Sequence, residues 1–207
     1  MTFKMLTEEH LDALQEISNV GMGNAATALS QMVSDTIELH VPSVSLVDII
    51  DVPDLIGGAE RLVVGVTMKI HGDACGNILL VFPDQSARRL ADKLIGKESP
   101  GDARFDELAE SALKEVGNIL ASSYLGAMGS LLHLTLIPSI PAFAHDMAGA
   151  IIDYLLIQLS EFGNQALMLE TEFHSRLKED AVIAGHFFLL PDPSALGVLT
   201  GAIGVKQ

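Results

Sequence analysis

DALQEISN, residues Asp12 to Asn19, returns as SALKEVGN, residues Ser111 to Asn118, 99 positions further on. Ala, Leu, Glu and Asn match between the two stretches, and Ile17 meets Val116. At the same offset Pro42 meets Pro141. Further along, Pro83-Asp84-Gln85-Ser86-Ala87 resembles Pro191-Asp192-Pro193-Ser194-Ala195, and Ile95-Gly96 resembles Ile203-Gly204, both now at an offset of 108. Nine extra residues therefore lie between Pro141 and Pro191. Landmarks kept in order at a fixed spacing are the mark of an internal repeat. The chain reads as one domain built of two repeats, about 1–99 and 100–207. The polar, breaker-rich run Gly96 to Ala103 (GKESPGDA) joins them.

The elements around these landmarks follow the same plan twice. From Thr7 to about Ser34, the residues Leu11, Leu14, Ile17, Ala25, Ala28, Leu29 and Met32 recur at helical spacing. Thr7 stands at the N-cap, with Glu8 and Glu9 in the first turn. Thr36 to Val41 alternates like a strand. Arg61–Ile70 and Cys75–Phe82 read as a hairpin turning at His71-Gly72-Asp73. A helix then opens at Pro83-Asp84 and stops at Gly96. In the second half a helix is expected from about Phe105 to Leu131, a strand from His133 to Ile137, and a helical stretch over Ala144–Asp153. Strands are expected over Ala166–Phe173 and Ala181–Leu190, with a charged turn at Ser175–Asp180 that takes up part of the insertion, and a last helix from Pro193 to Ile203. Helices alternating with hairpins predict a layered α/β fold, a mixed β-sheet with packed helices, with an internal pseudo-twofold relation between half-sheets joined edge to edge.

Composition narrows the function classes. A net charge of −15 repels nucleic acid and anionic membrane surfaces. Mean hydropathy is +0.38, yet no charge-free apolar run reaches the ~18 residues a spanning helix needs. No export signal is read at the N-terminus, and the one cysteine, Cys75, excludes an internal disulfide, so a cytoplasmic protein is expected. The seven histidines show no metal-ligand spacing, and no zinc site is expected. Cys75 reads as a buried thiol, His40 and His133 as packed strand residues, and the methionines as core filler. Gly21-Met22-Gly23 follows no strand, so it reads as a close-packing site rather than a phosphate loop.

Asp12, Glu16 and Asn19 are spaced i, i+4, i+7 and share one helix face, opposite Leu14, Ile17 and Ala25. Ser111, Glu115 and Asn118 repeat the arrangement. A Glu and an Asn on a helix surface are ordinarily just solvated. The full pattern, Asp/Ser-x3-Glu-x2-Asn-x22-Pro, resembles the signature of the CheC, CheX and FliY phosphatases, and it occurs twice: Asp12, Glu16, Asn19, Pro42 and Ser111, Glu115, Asn118, Pro141. The run Gly21 to Leu29 (GMGNAATAL) also resembles that family's first helix, while Ser18 stands where the family often has Gly. Two motifs resemble the CheC type rather than the single-motif CheX, and at 207 residues the added flagellar-switch domain of FliY is not expected.

The resemblance implies dephosphorylation of an aspartyl phosphate on a CheY-like response regulator. It implies Asn19 and Asn118 as the residues that orient the attacking water, and Glu16 and Glu115 as partners of the receiver's lysine, with Asp12 and Ser111 flanking. It implies no cofactor in this chain, with Mg²⁺ expected on the receiver. CheD is the further partner implied, its surface placed near Ala144–Asp153. The alternatives are a binding module of slight catalysis that captures CheD, and a structural relative at the flagellar switch. Pro42 and Pro141 are expected to shape turns.

Overall fold

Helix ends in this chain are fixed by residues that satisfy orphan backbone groups. A computed structural model describes residues 7–33, 36–41, 43–96, 104–158, 165–175 and 183–204. Thr7 and His10 cap the first helix reciprocally: His10 N–H donates to Thr7 Oγ1 at 3.4 Å, and Thr7 N–H to His10 Nδ1 at 3.1 Å. That helix, α1, is Glu8–Val33. The Asp106 carboxylate accepts from Ala109 N at 2.8 Å and opens α4, Glu107–Leu132. Between them come β1 (Ile37–His40), β2 (Val44–Asp48), a 3-10 turn (Ile49–Asp51), α2 (Val52–Leu55), β3 (Leu62–Gly72), β4 (Gly76–Pro83) and α3 (Asp84–Ile95). Gly96, left-handed at φ 72°, ends α3 as expected of a glycine there. After α4 follow β5 (Leu136–Pro138), β6 (Ala142–Met147), α5 (Ala148–Gln158), β7 (Gln165–Ser175), β8 (Ile183–Pro191) and α6 (Pro193–Gly204).

The strands form one eight-stranded sheet in the order β1-β7-β8-β4-β3-β5, with β2 also on β7 and β6 also on β3. The two long hairpins meet at its centre, where Leu79 pairs with Phe188 and Leu80 with Phe187. The outer strands are exchanged. β1 and β2 of the first half pair with β7 of the second, and β5 and β6 of the second half pair with β3 of the first. Each half thus covers the other's hairpin edge and leaves only short outer strands at the edges of the sheet. The half-sheets do join at β4–β8, but they are also interlocked.

Two hydrophobic clusters sandwich the sheet. The larger joins α1, α3, α4 and α6 to one face through Leu14, Leu29, Leu80, Phe82, Leu113 and Phe187. The smaller packs α2 and α5 on the other face through Val52, Val63, Leu79, Ile152 and Phe188. The layered α/β class stands. Within it, every strand pairing among the described residues is antiparallel, so the sheet is not mixed.

Several local expectations are corrected. Ala144–Met147 belongs to strand β6, and the helix begins only at Ala148. Pairing of Leu62–Thr67 with Met147–Ala142 overrides the weak strand preference of Ala, His and Asp. His133 is not in a strand: it is the exposed left-handed C-cap of α4 at φ 56°, and Leu134 N–H closes onto Gly129 O at 2.9 Å. His40 ends β1 exposed, with Glu38 at 3.9 Å. Cys75 is exposed rather than buried. Met22, Met68 and Met128 fill the core, but Met32 and Met147 lie half exposed. Most of the Ser175–Asp180 turn, and Pro42, lie outside the described residues. Gly21 does pack closely: a Cβ there would lie 2.9 Å from Tyr124 Cα, which sets the crossing of α1 and α4.

Candidate functional site

The two motif helices lie side by side over the same face of the sheet. On α1, Leu14, Ile17, Met22, Ala25 and Leu29 are buried toward the sheet. That burial leaves Asp12, Glu16 and Asn19 exposed on the outer face. On α4, Leu113, Val116, Leu120, Ala121 and Tyr124 are buried, so Ser111 and Glu115 are exposed and Asn118 half-buried. Each Glu sits one turn before its Asn, with side-chain roots about 5–6 Å apart. None of Glu16, Asn19, Glu115 and Asn118 makes a side-chain hydrogen bond or ion pair among the described residues. Their polar groups remain available to a docking partner.

The first pair lines a groove. Asp12, Gln15, Glu16, Asn19 and Val20 border an open concavity of about 550 Å³. Gln15 and Val20 were not singled out by the motif. Their signal was present in the helical spacing, since residues 15 and 20 flank 16 and 19 on the same outer face. Val20 is 49% exposed, high for a β-branched apolar residue, and gives the groove a dry flank beside Asn19.

Ser18 and Gly117 occupy equivalent positions between Glu and Asn. Ser18 is fully buried, and its hydroxyl donates to Leu14 O at 2.6 Å within α1. Facing it across the helix crossing is the buried Tyr124 hydroxyl, which has no hydrogen bond of good geometry among the described residues. Burial pushes the Tyr124 pKa well above its usual range, and neighbouring Ser18 opposes the shift. Gly117 has no room for a side chain: a Cβ would lie 2.7 Å from Val66 Cγ1 on the sheet. Glycine lets α4 seat its motif closely on β3.

The chemistry of these sites is that of short polar side chains on rigid helices. Among the described residues, no group of three His, Cys, Asp or Glu side chains is placed to hold a metal ion. No helix among them is long and apolar enough to cross a membrane. A second polar cluster lies apart from the motifs, where Asp84 accepts from Arg88 Nε at 2.8 Å and meets His145 Nε2 at 2.9 Å. Arg88 stacks over Phe105, 4.6 Å from its centroid. These groups tie α3, β6 and the lead into α4 together.

Comparison with known proteins bears directly on the two helices. The CheC-like family matches residues 9–46, which contain the first motif, and the chemotaxis phosphatase CheX family matches 64–153, which contain the second. The CheY-P phosphatase CheC of Bacillus subtilis (strain 168) is 34% identical over 206 residues, 99% of this chain and 98% of that protein. The flagellar motor switch phosphatase FliY of the same organism is 28% identical over 127 residues, 61% of this chain and 33% of its own length. In fold, the chain resembles Thermotoga maritima FliY at TM-score 0.77 and 22% identity, covering 98% of this chain and 99% of that one. It also resembles the FliM middle domain of H. pylori at TM-score 0.69 and 13% identity, over 94% and 99% of the two chains. Similarity of this degree along nearly the whole length shows that the chain belongs to the CheC-like family.

Proposed function

We propose that this protein is a phosphatase acting on the aspartyl phosphate of a CheY-like response regulator, with Glu16, Asn19, Glu115 and Asn118 as its working residues. The observation that carries the reading is the similarity over 99% of the chain to a CheY-P phosphatase. The free, outward-facing Glu/Asn pairs on two rigid helices support the assignment of residues.

Hydrolysis joins a water oxygen to phosphorus and breaks the bond from phosphorus to the aspartyl oxygen, releasing inorganic phosphate and a free carboxylate. A divalent cation on the receiver, Mg²⁺, would neutralise the charge that builds on the phosphoryl oxygens. Positioning is what remains for the phosphatase. Asn19 or Asn118 holds the water in line with phosphorus, accepting from it through Oδ1 or donating to it through Nδ2. Glu16 or Glu115 pairs with the receiver's lysine and keeps the docked helix in register.

A carboxamide has no proton to exchange near neutrality. The rate is therefore expected to stay flat between about pH 6 and pH 9, once the receiver's own profile is subtracted. The test is phosphate release from a phosphorylated receiver in Mg²⁺, with and without this protein. Acceleration supports the proposal. No acceleration leaves a binding module in its place.

A CheD partner is a further part of the proposal. We propose its surface around α5, a reading supported by the exposure of Tyr154 and Ile157 (61% and 74%), and pull-down with Tyr154→Ala is its test. The lone thiol Cys75 is in keeping with a cytoplasmic protein.

A further inference from the structure

The two sites carry the same Glu and Asn but not the same charge. α1 bears four carboxylates, Glu8, Glu9, Asp12 and Glu16, and no Lys or Arg. α4 bears three, Glu107, Glu110 and Glu115, together with Lys114. At the motif itself the difference lies at two equivalent positions. Asp12 becomes Ser111, and Gln15 becomes Lys114. Asp12 and Gln15 both line the groove that holds Glu16 and Asn19, so the substitutions fall where a partner must dock. Lys114 forms no ion pair among the described residues, and its charge is open to a partner. The α1 site is thus two charge units more negative than the α4 site.

Resting on the phosphatase reading above, we infer that Asp12/Gln15 and Ser111/Lys114 set the charge preference of the two sites. The α1 site favours a phosphorylated receiver face rich in cationic groups. The α4 site, with Lys114 able to approach the phosphoryl oxygens, accepts a face that is less so. One chain thereby serves receivers of unlike surface, or one receiver at two different affinities. Charges at the rim of an interface act mainly on encounter rate and its salt dependence.

The test isolates each site. Asn118→Ala leaves the α1 site alone, and Asn19→Ala leaves the α4 site alone. kcat/KM is measured on a phosphorylated CheY-like receiver at saturating, constant Mg²⁺, while monovalent salt rises from about 0.02 M to about 0.5 M. The α1 site is expected to lose about tenfold and the α4 site about threefold or less, since each exposed charge contributes about two- to fivefold at low salt. Adding Asp12→Ser and Gln15→Lys to the α1-only protein should bring its loss to within about twofold of the α4 site's. Ser111→Asp with Lys114→Gln should do the reverse in the α4-only protein. Equal salt responses in two active single-site proteins, or exchanges without effect, overturn this inference and leave the phosphatase reading standing. If neither single-site protein accelerates hydrolysis while the wild type does, the assignment of the Asn residues falls, and the inference falls with it.

Discussion

The first and second motif helices carry the same Glu and Asn on different foundations. α1 keeps a serine at the position between its Glu and Asn and has space for it. α4 has glycine there and presses against Val66. The close approach that α4 makes to the sheet, α1 makes to α4, through Gly21 against the Tyr124 backbone. The two helices, alike in their motif, therefore divide these close contacts between them. The glycine of α4 closes on the sheet, and the glycine of α1 closes on α4. What both helices share is the outward pair of Glu and Asn, which packing does not require. The difference teaches that two helices can present the same outward pair on unlike buried sides, provided that the neighbours of each fit it.

The largest effects are expected where a glycine carries one of these contacts. Gly21→Ala places a methyl 2.9 Å from Tyr124 Cα, a backbone atom that cannot rotate away. It should cost about 2–3 kcal/mol in denaturant unfolding despite the better helix propensity of Ala. Gly117→Ser gives α4 the residue of α1 and should cost about 2 kcal/mol, because Val66 must move. The reverse change, Ser18→Gly, should cost only about 1 kcal/mol. If Gly117→Ser proves as mild as Ser18→Gly, the two helices are seated alike.

A smaller effect separates Asp84 from Asp192, which stand at equivalent positions after a proline. Asp84 is held by Arg88 and His145. Asp84→Asn should cost about 1 kcal/mol. Asp192 has no such partner among the described residues, and burial raises its pKa. A carboxylate with a raised folded pKa favours the folded state when protonated and opposes it when ionised. Asp192→Asn should therefore raise stability slightly at pH 7, with the gain vanishing as pH falls below the ordinary Asp range. A loss at pH 7 would mean that Asp192 has a partner after all.

The smallest effect tests the contact between Ser18 and Tyr124. Without a well-formed hydrogen bond, the Tyr124 hydroxyl is buried at a cost, so Tyr124→Phe should be neutral or stabilising by up to about 1 kcal/mol. A loss of more than about 1 kcal/mol would establish a bond from Ser18 across the crossing.

Much of this was legible in the sequence because the signals are local. The spacing of Leu14, Ile17 and Ala25 announced which face of α1 is buried, and hence where Glu16 and Asn19 point. Gly96 and Thr7 marked helix ends through backbone chemistry that needs no partner elsewhere. What stayed hidden depends on distant residues. Apart from Phe143, little in Ala142–Met147 itself favours a strand, and β6 exists because β3 offers it an edge. The exchange of outer strands between halves is invisible for the same reason. β2, the 3-10 turn and α2, all within Val44–Leu55, were missed because short elements carry little periodicity. Cys75 was misplaced because the hairpin turn, not the residue's apolar character, decides its exposure. At the proposed site, Glu16, Asn19, Glu115 and Asn118 stand out through repetition and through resemblance to a family signature, while Gln15 and Val20 need the groove itself to be seen.

The most direct test of the central claim is phosphate release from a phosphorylated CheY-like receiver with wild type, Asn19→Ala, Asn118→Ala and the double variant. With two working sites, each single variant loses part of the acceleration and the double variant falls by about 10² or more, the scale set by losing a positioned water. A folded double variant that still accelerates release like the wild type would contradict the account.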